Sequence, residues 1–120
     1  MADYYDPDTG FPVLWLKPGE SMLLDLDFGP RMRNGDTIAS ITSLDVSPVP
    51  PATGTVTKSG QAPSGTIVQA RYSGGIEGEF YHVNGVCQTV GGDTVEADAL
   101  LYVGAVWALD GSSGVGTDWL

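Results

Sequence analysis

Residues 71–103 read RYSGGIEGEFYHVNGVCQTVGGDTVEADALLYV, with two Gly-Gly turns separating strand-like runs. The last run, residues 94–103, alternates without a break. Val95, Ala97, Ala99, Leu101 and Val103 share one face, and Glu96, Asp98, Leu100 and Tyr102 share the other. Strand side chains repeat every second residue, so the run is predicted as a strand with one face in a core. A sheet buried on one face needs a second layer against it, which makes a small antiparallel β-sandwich the expected product. The acidic residues on the exposed face of this strand discourage unwanted pairing.

The totals agree with that reading. At 120 residues the chain holds one core. Hydrophobic content of 42% with 17% charged residues argues against disorder. Seventeen Gly and eight Pro favour short strands and turns over helices. A single cysteine, Cys87, excludes an internal disulfide. No basic-then-apolar leader pattern occurs, and no apolar run approaches a membrane span, so synthesis in a cytoplasm is expected. Net charge is −10, and no Lys or Arg follows Arg71. Such an acidic half is repelled by phosphates, which argues against nucleic acid as a partner and leaves a solvated surface or a basic protein.

Residues 1–10 have no periodicity and are expected to form an N-terminal arm, with Tyr4 and Tyr5 as aromatic anchors. The Asp6-Pro7-Asp8-Thr9-Gly10 turn lacks the ligands of a calcium loop. Residues 11–17 are predicted as a short strand that lies at an edge or has its first residue outside the ladder, because Pro12 has no donor, with Trp15 in the core. Residues 20–28 place Met22, Leu24, Leu26 and Phe28 on one face and Asp25 and Asp27 on a solvated one. A connector with one helical turn follows, its Arg31 and Arg33 expected to pair with Asp25 or Asp27. Asn34-Gly35 turns into a strand over residues 36–46, whose alternation is too imperfect to show its buried face. Residues 47–54 form a Pro-rich loop. Two short strands, within 54–58 and 65–71, are joined by a polar loop. In residues 80–90, Asn84-Gly85 reads as a hairpin turn or as a bulge in one long strand. The Tyr81-x-Val83 pattern, which is that of the tyrosine corner of immunoglobulin-type sandwiches, favours the long strand. Residues 104–120 are expected to form a C-terminal docking arm, with Trp107 and Trp119-Leu120 bracketing a Gly-Ser-rich link.

No chemistry is flagged. His82 and Cys87 lie five positions apart and fall on opposite faces of a regular strand, so they form no nucleophilic pair. One His and one Cys make no zinc site. The expectation is a protein without catalytic residues, metal or cofactor.

Three motifs in order carry a family resemblance: Lys17-Pro18-Gly19-Glu20, Gly35-Asp36-Thr37-Ile38, and residues 73–83 ending in Tyr81-x-Val83. Together they resemble the small immunoglobulin-like structural proteins of tailed bacteriophages, a group described as fiber–tail adaptors or virion components. The resemblance spans residues 13–103 and leaves out both tails. The chain departs from the pattern where Asn84-Gly85-Val86-Cys87 replaces a Thr-rich run, and in its long C-terminal extension.

The resemblance implies an all-β, immunoglobulin-like sandwich of about seven strands over residues 11–103, with arms at 1–10 and 104–120. Gly35, Asp36, Tyr81 and Val83 mark that fold. It implies a non-enzymatic virion protein, made in a host bacterial cytoplasm, that docks between larger proteins at the neck or tail. Its partners would be other virion proteins, met as multiple copies in a symmetric assembly, with no membrane. Tyr4, Tyr5, Trp107, Trp119 and Leu120 are the expected docking residues. The alternatives are a capsid decoration protein and, third, a carbohydrate-binding module using Tyr4, Tyr5, Tyr72 and Trp107.

Overall fold

A computed structural model describes residues 10–104. The strands are β1 (Val13–Leu16), β2 (Ser21–Asp27), β3 (Ile38–Pro48), β4 (Val56–Ser64), β5 (Ile67–Gly74), β6 (Phe80–Thr89) and β7 (Thr94–Val103), with one 3-10 turn at Gly29–Arg31. They form two sheets, ordered β1-β7-β6-β3 and β2-β5-β4. This is an immunoglobulin-like sandwich, as expected. One pairing is parallel: β1 runs alongside β7, from Val13↔Leu100 to Leu16↔Val103. A parallel pair needs a long crossover, and here nearly the whole domain lies between the two strands.

The β1–β7 ladder opens with Leu100 N–H donating to Pro12 O at 2.9 Å, and Pro12 has no N–H to carry it further. Leu14 and Leu16 enter the core, so alternation turns Trp15 to the opposite face. The expectation of Trp15 in the core is therefore corrected: it is half-buried on the outer face, edge-on to Tyr102 with ring centroids 5.9 Å apart. In β2 the alternation holds from Leu24 on, with Leu24 and Leu26 packed in the core and Phe28 fully buried just beyond the strand, while Met22, expected on the same face, is exposed.

The chain reverses through Gly35, whose φ of +84° suits a residue without a side chain. That turn carries Arg33 away from β2, so the expected pairing with Asp25 or Asp27 does not form. Arg33 instead pairs with Asp93 at 2.8 Å, at the β6–β7 turn. β3 loses its alternation because its register against β6 shifts twice, between Ile38 and Ser40 and between Ile41 and Ser43.

The polar loop expected between two short strands is also corrected. Residues 59–64 belong to β4 and pair with β5 around an irregularity between Ser59 and Ala62. Only Gly65 and Thr66 remain as the turn. β4 is an edge strand with little burial beyond Val56, so no apolar rhythm betrays it, and an edge tolerates Pro63.

β6 is one unbroken strand, in register with β7 from Phe80↔Tyr102 to Gln88↔Thr94. Asn84-Gly85 is neither a hairpin turn nor a bulge. A Cβ on Gly85 would lie 2.8 Å from both Leu26 and Phe28, so the glycine lets the facing sheet approach. The core gathers Leu26, Phe28, Leu44, Val68, Tyr72, Tyr81, Val83, Cys87 and Leu101 between the sheets. A second cluster, centred on Val13, Leu100 and Tyr102, lies on the outer face of the four-stranded sheet.

Candidate docking surface

Both ends of the sandwich are pinned by a carboxylate, which makes the frame around any docking surface rigid. At one end Tyr81 is fully buried, and its hydroxyl donates to Glu79 Oε1 at 2.7 Å while accepting from Ile76 N–H at 3.1 Å. Glu79 also accepts from the N–H groups of Thr53 and Gly54, each at 3.0 Å. Hydrogen bonds to the ionised form, led by that of Tyr81, hold the Glu79 carboxyl below its ordinary value. A Cβ on Gly54 would run into the Tyr81 hydroxyl. Val83, two residues on, is fully buried on the same face.

At the other end Asp36 Oδ1 accepts from the N–H groups of Thr37 at 2.9 Å and Gly91 at 3.0 Å. The Thr89 side chain, first among these donors, lowers the Asp36 carboxyl from its ordinary value. The turn through Gly35 and Asp36 is thus tied to the β6–β7 turn.

The outer face of the four-stranded sheet divides in two. Phe11, Trp15, Val49 and Phe80 pack on Val13, Leu100 and Tyr102 to form an aromatic half. Further along β7 the face turns polar. Asn84 Nδ2 donates to Glu96 at 2.7 Å and to Asp98 at 2.9 Å, and His82 Nε2 lies 2.8 Å from Asp98. Phe11 stacks on His82, with ring centroids 5.8 Å apart, where the halves meet. Alternation in sequence placed Leu100 and Tyr102 outward, and they are outward. Their burial depends on aromatic side chains from β1 and β6, which only the sheet order brings together.

On the β1 side of the sandwich a cleft of about 540 Å³ opens between the sheets. Its lips are Glu96, Ala97 and Asp98 of β7 and Asp25, Leu26 and Asp27 of β2, with Arg31 at one end. The carboxylates are held by neutral donors: Asp25 by Gln69 at 3.1 Å, Asp27 by Gly29 N–H at 2.8 Å and Thr66 at 3.2 Å. Sequence alone assigned Asp25 and Asp27 to a solvated face and did not bring them to Glu96 and Asp98.

The expected docking residues Tyr4, Tyr5, Trp107, Trp119 and Leu120 lie outside the described residues. The Asp6–Gly10 turn is described only at Gly10. Tyr72 is fully buried, which removes it from the sugar-binding aromatic set. Cys87 faces the core and burial raises its thiol, so it is not a poised thiolate. His82 is on the opposite face, as its spacing predicts.

The profile of one family, described as podophage GP4 fiber-tail adaptor protein gp77, matches residues 17–102. The match begins at the Lys17-Pro18-Gly19-Glu20 turn and runs through β2 to Tyr102 of β7, leaving out both termini. A search of curated proteins finds no match.

Proposed function

The chain belongs to the podophage GP4 fiber-tail adaptor family, and from that premise we propose that it is a virion adaptor holding a fiber to the tail. The family match across residues 17–102 is the observation that carries this reading. A structural adaptor needs no catalytic centre; it needs a rigid body and surfaces for two neighbours. The ends pinned by Glu79 and Asp36 supply the first.

In this reading residues 11–103 form the rigid body. Residues 1–10 and 104–120 act as docking arms, with Tyr4, Tyr5, Trp107, Trp119 and Leu120 as anchors. Arms that order on binding lose conformational entropy, so large aromatic contacts must outweigh it. The partners are other virion proteins, met as several copies around a symmetric tail.

Particles made without the chain test the proposal. The expected product is a filled particle whose tail lacks fibers, with the chain at the fiber–tail junction of wild-type particles in low copy. Hundreds of copies over the capsid surface would replace the adaptor reading with a decoration role. Trp119→Ala should lower incorporation without unfolding the domain. Removing residues 108–120 with no change in assembly would remove the C-terminal arm from the mechanism.

A further inference from the structure

We propose that the open edge of β7, along residues 94–98, receives an extended, Lys- or Arg-bearing segment of a partner protein as an added strand. The proposal rests on the adaptor reading and names the surface and chemistry of one of its contacts.

Among the described residues the edge is open because of where β1 stops, with Gly10, Phe11 and Pro12 lining the cleft beside it. β7 begins at Thr94, yet its ladder with β1 covers only Leu100 to Val103. The last rung is Leu100 N–H to Pro12 O. In the next rung of a parallel ladder Pro12 would have to donate to Asp98, and it has no N–H. Because Leu100 points its N–H toward β1, residues of the same parity, Glu96 and Asp98, point their backbone groups to that side and away from β6. Their pairing partners on β6 are Val86 and Asn84. The backbone there offers a ready row of donors and acceptors, the basis of strand addition.

Of the other edges, β3 and β4 carry features that discourage such pairing, whereas β2 pairs regularly with β5. β4 has Lys58, a register shift between Ser59 and Ala62, and Pro63. β3 has two register shifts and ends at Pro48. Residues 94–98, Thr-Val-Glu-Ala-Asp, contain no proline or lysine, and their pairing with β6 is regular.

Charge selects the occupant. Glu96 and Asp98 on one lip of the cleft and Asp25 and Asp27 on the other form hydrogen bonds to neutral groups, His82 apart. Among the described residues the one Lys or Arg ion pair is Arg33–Asp93, at the end of the sandwich. An incoming strand with basic side chains meets, on both sides, carboxylates that no described Lys or Arg pairs, while an acidic strand is repelled.

Hydrogen–deuterium exchange of the chain, free and in assembled particles, tests this. The expected result is slowing of the Glu96 and Asp98 amides by more than about tenfold on assembly, as for groups newly hydrogen-bonded. Glu96→Lys combined with Asp98→Lys should cut incorporation roughly tenfold, and Glu96→Gln with Asp98→Asn should cut it less, since like charge repels while neutrality only removes attraction. Thermal melts of the purified variants separate lost docking from lost folding. Wild-type chain present in particles with unchanged edge exchange overturns the strand proposal and leaves the adaptor reading standing. Wild-type chain absent from particles overturns both. Edge amides already slow in the free chain, and released when residues 1–9 are removed, would make the occupant the chain's own N-terminal segment and overturn the proposal.

Discussion

Two tyrosines are fully buried in this sandwich, and their hydroxyls meet opposite fates. Tyr81, on the four-stranded sheet, donates to Glu79 and accepts from Ile76 N–H. Tyr72, on the three-stranded sheet, has a hydroxyl shielded from solvent with no hydrogen-bond partner among the described residues. Both rings fill the same core. The difference shows that a buried tyrosine serves here in two ways, as an apolar plate at Tyr72 and as a knot joining the β3–β4 and β5–β6 loops at Tyr81.

Removing either ring should have the largest effect. Tyr81→Ala and Tyr72→Ala are each expected to cost about 3–5 kcal/mol in denaturant unfolding, the range for losing a buried aromatic ring. A small cost at either site would mean that its ring is not part of the core.

Removing only the hydroxyl should separate the two sites. Tyr81→Phe strands the Ile76 N–H and leaves Glu79 without its best donor, and should cost about 1–3 kcal/mol. Tyr72→Phe deletes a polar group that has been desolvated without compensation, so it should be neutral or stabilising, within about 1 kcal/mol. Equal losses from the two Phe variants would erase the contrast. Gly54→Ala offers a smaller, second route to the knot, because its Cβ runs into the Tyr81 hydroxyl and lies 2.8 Å from Ile76. Overpacking of this kind should cost about 1–3 kcal/mol in the wild type. It should cost less in a Tyr81→Phe background, a coupling that a double-mutant cycle reads directly.

Alkaline pH should expose Tyr72. Burial, with the nearby Asp25 charge second, pushes its phenol from 10.0 up to about 12. A group whose pKa rises on folding stabilises fully below its unfolded value and loses that contribution as pH rises through the folded one. Stability should therefore fall as pH goes from about 10 toward 12. Tyr72→Phe should remove part of that fall, and an unchanged alkaline profile would argue against a desolvated phenol.

The smallest effect belongs to Glu79, whose carboxyl is lowered from 4.5 on folding, first by Tyr81. A depressed carboxyl contributes above its unfolded value and loses that contribution as pH falls below it. Acid titration of stability should thus be shallower in Tyr81→Phe than in the wild type.

The sandwich itself was legible in the chain because its evidence is local. Alternation in β2 and β7, the Gly35 turn and the Tyr81-x-Val83 pattern each depend on neighbours a few residues away. Where the local rhythm failed, the reading failed with it. β4 lies at an edge where most side chains face water, so nothing apolar marks it. Gly85 read as a turn or as a bulge in a long strand because a glycine made for either and one made for a close inter-sheet contact are the same letter. Trp15 looked like core because size, without the partner strand, does not say which face is covered.

The candidate surface was hidden for the same reason. Residues 25–27 and 96–98 are distant in sequence, and neither pair of carboxylates differs locally from a solvated strand face. Alternation, turn chemistry and composition determined that this chain is a β-sandwich with an acidic second half. The tertiary structure decided that β1 pairs in parallel with β7 and stops at Pro12. An early strand and a late one come together only through the closed core between them, and among the described residues that meeting leaves the acidic edge of β7 open.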